Sequence, residues 1–281
     1  MARMTARRLV TLPALNAVAV SSVATATAPV GARKYHSLIF QYKDGTANQA
    51  TLEGAITNVR LLLNGKEQWN CSLARLNILN ALVGYAFQTG LIFIPLSRFD
   101  ARTPAGEEAF GWGTADVSSF TVELTISGAA VAPALTGWAE IEDTVENIGV
   151  IIKRRTHSSK AASGAGLFQI NDLPRKPLEA YARLHLFSSA VTSAKVVADS
   201  VEFFDLPRAV ASALYAKQGI TQQANVFHVL FDATEQVTDL LPMTREVPGI
   251  GKVLVQDFRL DLTMSGAATF DIIAEVVGLP D

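Results

Sequence analysis

The sequence is poor in cysteine and in charge. Its 281 residues include a single cysteine, Cys71, which excludes an intrachain disulfide framework and any metal site built from several thiolates. Charged residues make up only 18% of the chain, and the net charge is -2 at pH 7. A dedicated nucleic-acid-binding protein needs a strong excess of Lys and Arg, so we expect no direct sequence-specific binding of nucleic acid.

Long apolar runs are also absent. The longest tight run, residues 91–96, has the length of a strand and falls far short of the roughly 20 residues that span a bilayer. Residues 9–28 follow arginines as a signal peptide would, but polar residues and Pro13 interrupt them, so we expect no cleaved signal. Hydrophobic residues nevertheless make up 49% of the chain, which excludes a disordered protein and favours a large subunit interface.

Motifs that carry chemistry are missing. The sequence has no phosphate-binding loop, no H-E-x-x-H, no C-x-x-C, no EF-hand loop and no G-x-S-x-G. None of the histidines has the spacing of a metal site or a catalytic site; they are His36, His157, His185 and His228. We therefore expect no enzyme, no catalytic residue and no cofactor.

One carboxylate pair leaves a question open. Glu107 and Glu108 lie in the glycine-rich segment 103–116. Adjacent carboxylates can bind a divalent cation or form a glycosidase pair, although a solvated turn is the plainer interpretation. A structural divalent cation is thus left open, and no ligand residue is assigned to it.

Short strands dominate the pattern of polar and apolar residues. Alternation predicts strands at residues 35–40, 120–126 and 253–262, among others. Asn64-Gly65 separates two such segments and predicts a tight hairpin, because both residues accept the positive φ of a type I′ turn. Only residues 72–87 and 207–218 have the apolar stripe or the end signals of helices.

A repeat divides the chain into halves. Residues 120–130 reappear as residues 258–268 with seven of eleven positions identical, and the two predicted helices have a similar separation. A period of this length is domain-sized. We therefore predict an all-β protein with two tandem eight-stranded jelly-roll barrels, each with one short inserted α-helix. The expected divisions are an N-terminal arm at 1–14, a first barrel at 15–143 and a second barrel at 144–281.

Two groups of residues are candidates for contacts with partners. Arg3, Arg7 and Arg8 lie in the expected arm, where they could bind an acidic membrane surface or belong to a frayed terminus. Phe110 and Trp112 lie in a glycine-rich loop and are either an exposed interface anchor or a pair tucked beneath the loop. The basic run at 153–155 is expected to form a solvated strand face or salt bridges between the two domains.

Four segments together resemble a known family. They are residues 56–65, 103–117, 149–175 and 255–260, and they occur in the order found in that family. On these segments the chain resembles the major capsid proteins of tailless, internal-membrane-containing icosahedral bacteriophages, the corticovirus-like group with a double jelly roll.

The resemblance implies a structural major capsid protein. It implies a homotrimer that forms a pseudo-hexagonal capsomer, with neighbouring capsomers and minor capsid or penton proteins as partners. The capsomers would tile an icosahedral shell around an internal lipid membrane, with the N-terminal arm on the membrane side. The location would be the virion, after assembly in the host bacterial cytoplasm.

Two alternatives remain open from the sequence. The chain could be a vertex or spike virion protein of the same fold. It could also be a secreted double-jelly-roll protein that acts on carbohydrate, in which Trp112 would stack on sugar and Glu107 and Glu108 would serve as the carboxylate pair.

Overall fold

Two units make up the chain in a computed structural model that describes residues 6–43, 45–101, 103–234 and 239–281. The first unit consists of Met1–Ile152 with Leu279–Asp281, and the second of Lys153–Gly278. Strands hold 49% of the residues and helices 12%, which agrees with the expected all-β class.

The first unit contains nine strands and three helices among its described residues. In chain order they are β1 (Arg8–Thr11), β2 (Val23–Ala28), β3 (Gly31–Tyr42), α1 (Gln49–Ala55), β4 (Ile56–Leu63), β5 (Lys66–Ser72), α2 (Leu73–Leu82), β6 (Leu91–Pro95), α3 (Pro104–Glu108), β7 (Trp112–Thr114), β8 (Phe120–Ile126) and β9 (Leu135–Glu142).

Two sheets enclose the core of the first unit. One has the strand order β1-β9-β3-β6, with β7 also pairing with β3, and the other has the order β5-β4-β8-β2. Alternate residues of β8 are buried, as its sequence pattern requires of a strand with one face on the core. Tyr35 on β3 meets Phe120 on β8 with ring centroids 5.3 Å apart, so side chains of the two sheets pack against each other.

The second unit has β10 (Ile151–Ala162) as its first strand, which begins just ahead of the boundary. The elements that follow are β11 (Gly166–Ile170), β12 (Ala180–Leu186), β13 (Val191–Ala198), β14 (Val201–Pro207), α4 (Arg208–Lys217), β15 (Phe227–Leu230), β16 (Leu241–Pro242), β17 (Thr244–Val247), β18 (Gly251–Leu254), β19 (Phe258–Met264) and β20 (Ala268–Gly278). Its strands have the orders β15-β12-β20-β10 and β11-β19-β13-β14.

The two units share one topology. When each strand of the first unit is replaced by its counterpart in the second, both strand orders of the first unit become strand orders of the second. The counterparts are β1 and β10, β2 and β11, β3 and β12, β4 and β13, β5 and β14, β6 and β15, β8 and β19, and β9 and β20. Helices α2 and α4 follow matched strands, β5 and β14. The predicted pair of eight-stranded jelly rolls is therefore confirmed, and the repeated segments form the matched strands β8 and β19.

A tyrosine contact is repeated as well. In the first unit the Tyr35 hydroxyl donates a hydrogen bond to the Pro29 carbonyl oxygen at 2.5 Å, and its ring packs on Phe120. In the second unit the Tyr181 hydroxyl donates to the Pro174 carbonyl oxygen at 2.6 Å, and its ring lies 5.0 Å from Phe258. Phe120 and Phe258 are the first residues of the repeated segments, so the two units share side-chain packing as well as sequence at this position.

The first unit begins and ends differently from the expected divisions. Arg8–Thr11 is not part of a separate arm but forms β1, which pairs with β9. Residues after 143 also belong to this unit: Ile148 N–H donates to Asp116 Oδ1 at 2.7 Å, and Ala115 N–H donates to the Glu146 carbonyl oxygen at 3.0 Å. These contacts explain why the boundary falls after Ile152. The short helices α1 and α3 were not expected.

Local signals predicted the hairpin turn and the start of the first inserted helix. Asn64 and Gly65 join β4 to β5 with φ values of 50° and 74°, as a type I′ turn requires. The Ser72 hydroxyl caps α2 by accepting from Arg75 N–H. The helix ends at Leu82, earlier than the predicted residue 87, and Gly84 follows with a φ of 87°.

The repeated tyrosine contact predicts matched losses of stability. Tyr35→Phe and Tyr181→Phe each remove a buried hydroxyl and leave a proline carbonyl oxygen without its donor, while the ring packing is retained. We expect each change to lower the free energy of unfolding by about 1–2 kcal/mol, measured by urea denaturation. A loss from one variant and none from the other would contradict the equivalence of the two sites.

Candidate functional site

The carboxylate pair of the first unit is held by an arginine. Glu107 and Glu108 end α3, whose first turn is capped by the Thr103 hydroxyl. The Arg7 guanidinium forms an ion pair with Glu107, lies 3.5 Å from Glu108 and lies 4.0 Å from Glu140. The two carboxylates are therefore partners of a structural ion pair, which disfavours the carbohydrate-cleaving alternative.

The structure describes two of the three arginines in the predicted arm, Arg7 and Arg8. Arg8 Nε lies 2.6 Å from Asp143 Oδ2, and a second hydrogen bond joins the same two side chains at 3.0 Å. Arg7 and Arg8 thus have carboxylate partners in their own unit and do not project as a free arm. Arg3 lies outside the described residues. A membrane contact by these arginines remains a prediction.

Phe110 and Trp112 are buried, which contradicts an exposed interface loop. Trp112 has 0% exposure and packs on Phe120 at a ring distance of 5.1 Å. The backbone can fold back this closely because Gly113 has no side chain: a Cβ there would lie 2.6 Å from the Asn147 carbonyl oxygen. Trp112 is the first residue of β7 and part of the core, so it offers no platform for sugar.

The second unit contains a buried ionic cluster that sequence reasoning missed. Its members lie on β10, β12, β15 and β20 or just after β15, and all are at most 7% exposed; they are Arg154, Arg183, His185, His228, Asp232 and Glu275. The register of neighbouring strands brings these side chains together, because Arg183 lies opposite Glu275 and His185 lies opposite His228. No local sequence signal specifies such register, since the partners are far apart in the chain.

The charges of this cluster balance. Arg154 Nε donates to Glu275 Oε1 at 2.7 Å, and Arg183 Nε donates to Asp232 Oδ1 at 2.9 Å. The Nδ1 atoms of His185 and His228 lie 2.7 Å apart, so one ring donates and the other must accept. Two arginines and two carboxylates thus surround a pair of neutral imidazoles.

Burial and nearby charge explain how the cluster titrates. Burial lowers the pKa of both imidazoles, and the neighbouring arginines lower it further for His228. Burial alone would raise the pKa of Glu275, but Arg154, His185 and Arg183 hold it well below its usual range. The two imidazoles are therefore neutral and Glu275 is ionised near neutral pH.

A second buried group involves the basic run at the start of β10. Glu179 accepts two hydrogen bonds from Arg155, both at 2.8 Å, and forms an ion pair with Lys153. Lys153 is 1% exposed, so the expected solvated strand face is wrong for this residue. The basic residues instead neutralise carboxylates within the second unit.

The described cavities offer little for catalysis. Three of them, of about 290 to 360 Å³, are lined mainly by apolar side chains. No group of three or more His, Cys, Asp or Glu residues in the described ranges is arranged to hold a metal ion. Within the same ranges, no helix is both long and apolar enough to cross a membrane. The arrangement of polar groups is that of a scaffold.

Comparisons with protein families cover nearly the whole chain. The model of the viral coat protein P2 N-terminal domain matches residues 9–142, and the model of the P2 C-terminal domain matches residues 151–280. The first match begins at residue 9 and so includes three of the four residues of β1, in agreement with its place in the first unit. No curated protein matches the chain.

Solved capsid proteins have a similar fold. The major capsid protein P2 from Bacteriophage PM2 has a TM-score of 0.85 at 20% identity, with 98% of each chain covered. The STIV major capsid protein has a TM-score of 0.66 at 12% identity, with 98% of this chain and 97% of that chain covered. PBCV-1 VP54 has a TM-score of 0.60 at 11% identity, with 99% and 98% covered.

The buried imidazoles predict acid sensitivity. A histidine that stays neutral in the fold becomes charged on unfolding below its ordinary pKa of about 6.5, so stability should fall as the pH drops below that value, by at most about 1.4 kcal/mol per pH unit for each histidine. We expect urea denaturation to show this slope, and we expect it to be smaller in the double variant His185→Gln/His228→Gln. Equal slopes in both proteins would contradict the assignment.

Proposed function

Because the chain belongs to the viral coat protein P2 family and is a structural capsid protein rather than an enzyme, we propose that three copies associate into a pseudo-hexagonal capsomer. These capsomers tile an icosahedral shell around an internal membrane. The observation that carries the proposal is the shared topology of the two units.

The shared topology supports threefold association. One chain supplies two similar barrels, so a closed ring of three chains presents six similar barrels around its axis. Closed rings of this kind arise when one surface of a chain binds a different surface of the next copy. The same element order in both units gives such a ring approximate sixfold symmetry, which suits the close packing of tiles in a shell.

Composition gives further support to a permanent assembly. Half of the chain is hydrophobic, and large apolar side chains remain exposed on both units, among them Leu9 at 66% and Phe203 at 47%. Permanent subunit interfaces are larger and more apolar than transient ones. Association with further copies would remove this surface from water.

The remaining features of the proposal follow from its role in the virion. Neighbouring capsomers and minor capsid or penton proteins are the partners, and assembly takes place in the host bacterial cytoplasm. The internal membrane is supported by the resemblance of the sequence to capsid proteins of membrane-containing phages. Arg3, Arg7 and Arg8 occur near the end of the chain that this resemblance assigns to the membrane side.

Sedimentation equilibrium of the purified protein tests the trimer. We expect a species of three times the chain mass of 30.1 kDa, stable at micromolar concentration because its interface buries apolar surface permanently. A protein that stays monomeric, or that stops at a dimer, would contradict the proposed capsomer.

A further inference from the structure

Two end strands leave open edges on the two units. β1 ends the order β1-β9-β3-β6 of the first unit, and β14 ends the order β11-β19-β13-β14 of the second. In the described ranges, β1 pairs with β9 alone and β14 with β13 alone. An open strand edge presents unpaired backbone groups that can accept another chain.

The β14 strand is apolar and acidic on its exposed side. Val201 is 55% exposed and Phe203 is 47% exposed, and Phe203 is the only aromatic residue among the exposed large hydrophobic side chains of the described ranges. The carboxylates of Glu202 and Asp205 on the same strand are more than half exposed, although both lie near the Lys195 ammonium of β13 in their own copy. An exposed aromatic ring between carboxylates is typical of an interface anchor rather than of a free surface.

The β1 strand is apolar and basic. Leu9 is 66% exposed, and its neighbour Arg8 has a side chain that is half exposed. Beside Leu9 lies an apolar cavity of about 320 Å³, whose lining crosses all four strands of the sheet and consists of Leu9, Ile39, Gln41, Leu91 and Trp138. This cavity has the chemistry to receive an aromatic side chain, and Arg8 precedes Leu9 on the same strand.

We propose that β14 of one copy docks along β1 of the next copy, with Phe203 in the cavity beside Leu9 and with Glu202 or Asp205 facing Arg8. The inference rests on the proposed trimer and names the surfaces that form it. The two surfaces complement each other in charge and in apolar character, and each has an open strand edge.

A second copy of this chain suits these surfaces better than other occupants. The complementary strands lie on different units, so each copy offers both and the contact is heterologous, which allows a ring to close after three copies. An anionic lipid surface would repel the carboxylates of β14.

Substitutions on the two strands test the contact. Phe203→Asp and Leu9→Asp place a charge in the proposed apolar contact, so we expect each to raise the concentration needed for trimer formation about 30-fold or more. The matched control is Leu167→Asp, since Leu167 is 75% exposed and lies on β11, the other end strand of the β14 sheet. Sedimentation velocity gives the trimer fraction, and urea denaturation checks folding.

A charge exchange tests the polar part of the contact. Arg8→Glu and Glu202→Arg should each weaken the trimer about tenfold. The double variant should recover part of the loss, because the attraction between copies is restored with opposite signs while the ion pairs within each copy, to Asp143 and to Lys195, stay broken. Failure of the double variant to recover, with both single variants weakened and folded, would overturn the pairing of these strands.

Cysteine crosslinking gives a readout that does not depend on weakened assembly. The native Cys71 is buried, so Leu9→Cys/Phe203→Cys should form disulfides between copies under mild oxidation and give two-chain and three-chain species on a non-reducing gel. Leu9→Cys/Leu167→Cys should give none.

The outcomes separate this inference from the proposed function. A wild-type trimer that is unaffected by Phe203→Asp and Leu9→Asp and gives no crosslinked species overturns the contact but leaves the trimer in place. A monomeric wild type overturns both. The β14 variants could also keep the trimer but lose binding to vesicles or to another virion protein. That result overturns the contact as well, because β14 then binds that other partner.

Discussion

Backbone hydrogen bonding between antiparallel strands is the constraint on which the rest of the structure depends. Each unit satisfies it with two sheets whose apolar faces enclose a core, and Tyr35 with Phe120 and Tyr181 with Phe258 join the sheets in equivalent places. The same constraint leaves end strands with open edges. In a coat protein those edges are available for assembly, so the topology that stabilises one chain also determines where other copies can bind.

Equivalent positions in the two units have acquired different surroundings. The β9 segment Trp138-Ala139-Glu140-Ile141 corresponds to the β20 segment Ile273-Ala274-Glu275-Val276. Glu140 remains partly exposed near Arg7, whereas Glu275 is buried with Arg154 and the histidine pair. The matched sheet face is therefore partly open in the first unit and buried in the second. Such a difference between twin surfaces is expected when a duplicated fold makes different contacts on its two sides.

Local signals in the sequence were sufficient for much of the fold. The strand at residues 120–126 and the hairpin at Asn64-Gly65 depend on signals from neighbouring residues, and the structure confirms both. The strand β1 could not be recognised, because four residues with polar ends are stabilised by pairing with β9, more than 120 residues away in the chain. Long-range register likewise determines the His185–His228 contact, and the burial of Trp112 follows from the pairing of β7 with β3 and from packing on Phe120.

The central claim is that one chain carries the same jelly roll twice and that three such chains build a nearly sixfold tile. Single-particle electron microscopy of the purified assembly tests it most directly. The account predicts a particle with true threefold symmetry in which six barrels of similar size alternate around the axis. A particle with twofold symmetry, or a ring in which the two barrels of a chain do not occupy equivalent places, would contradict it.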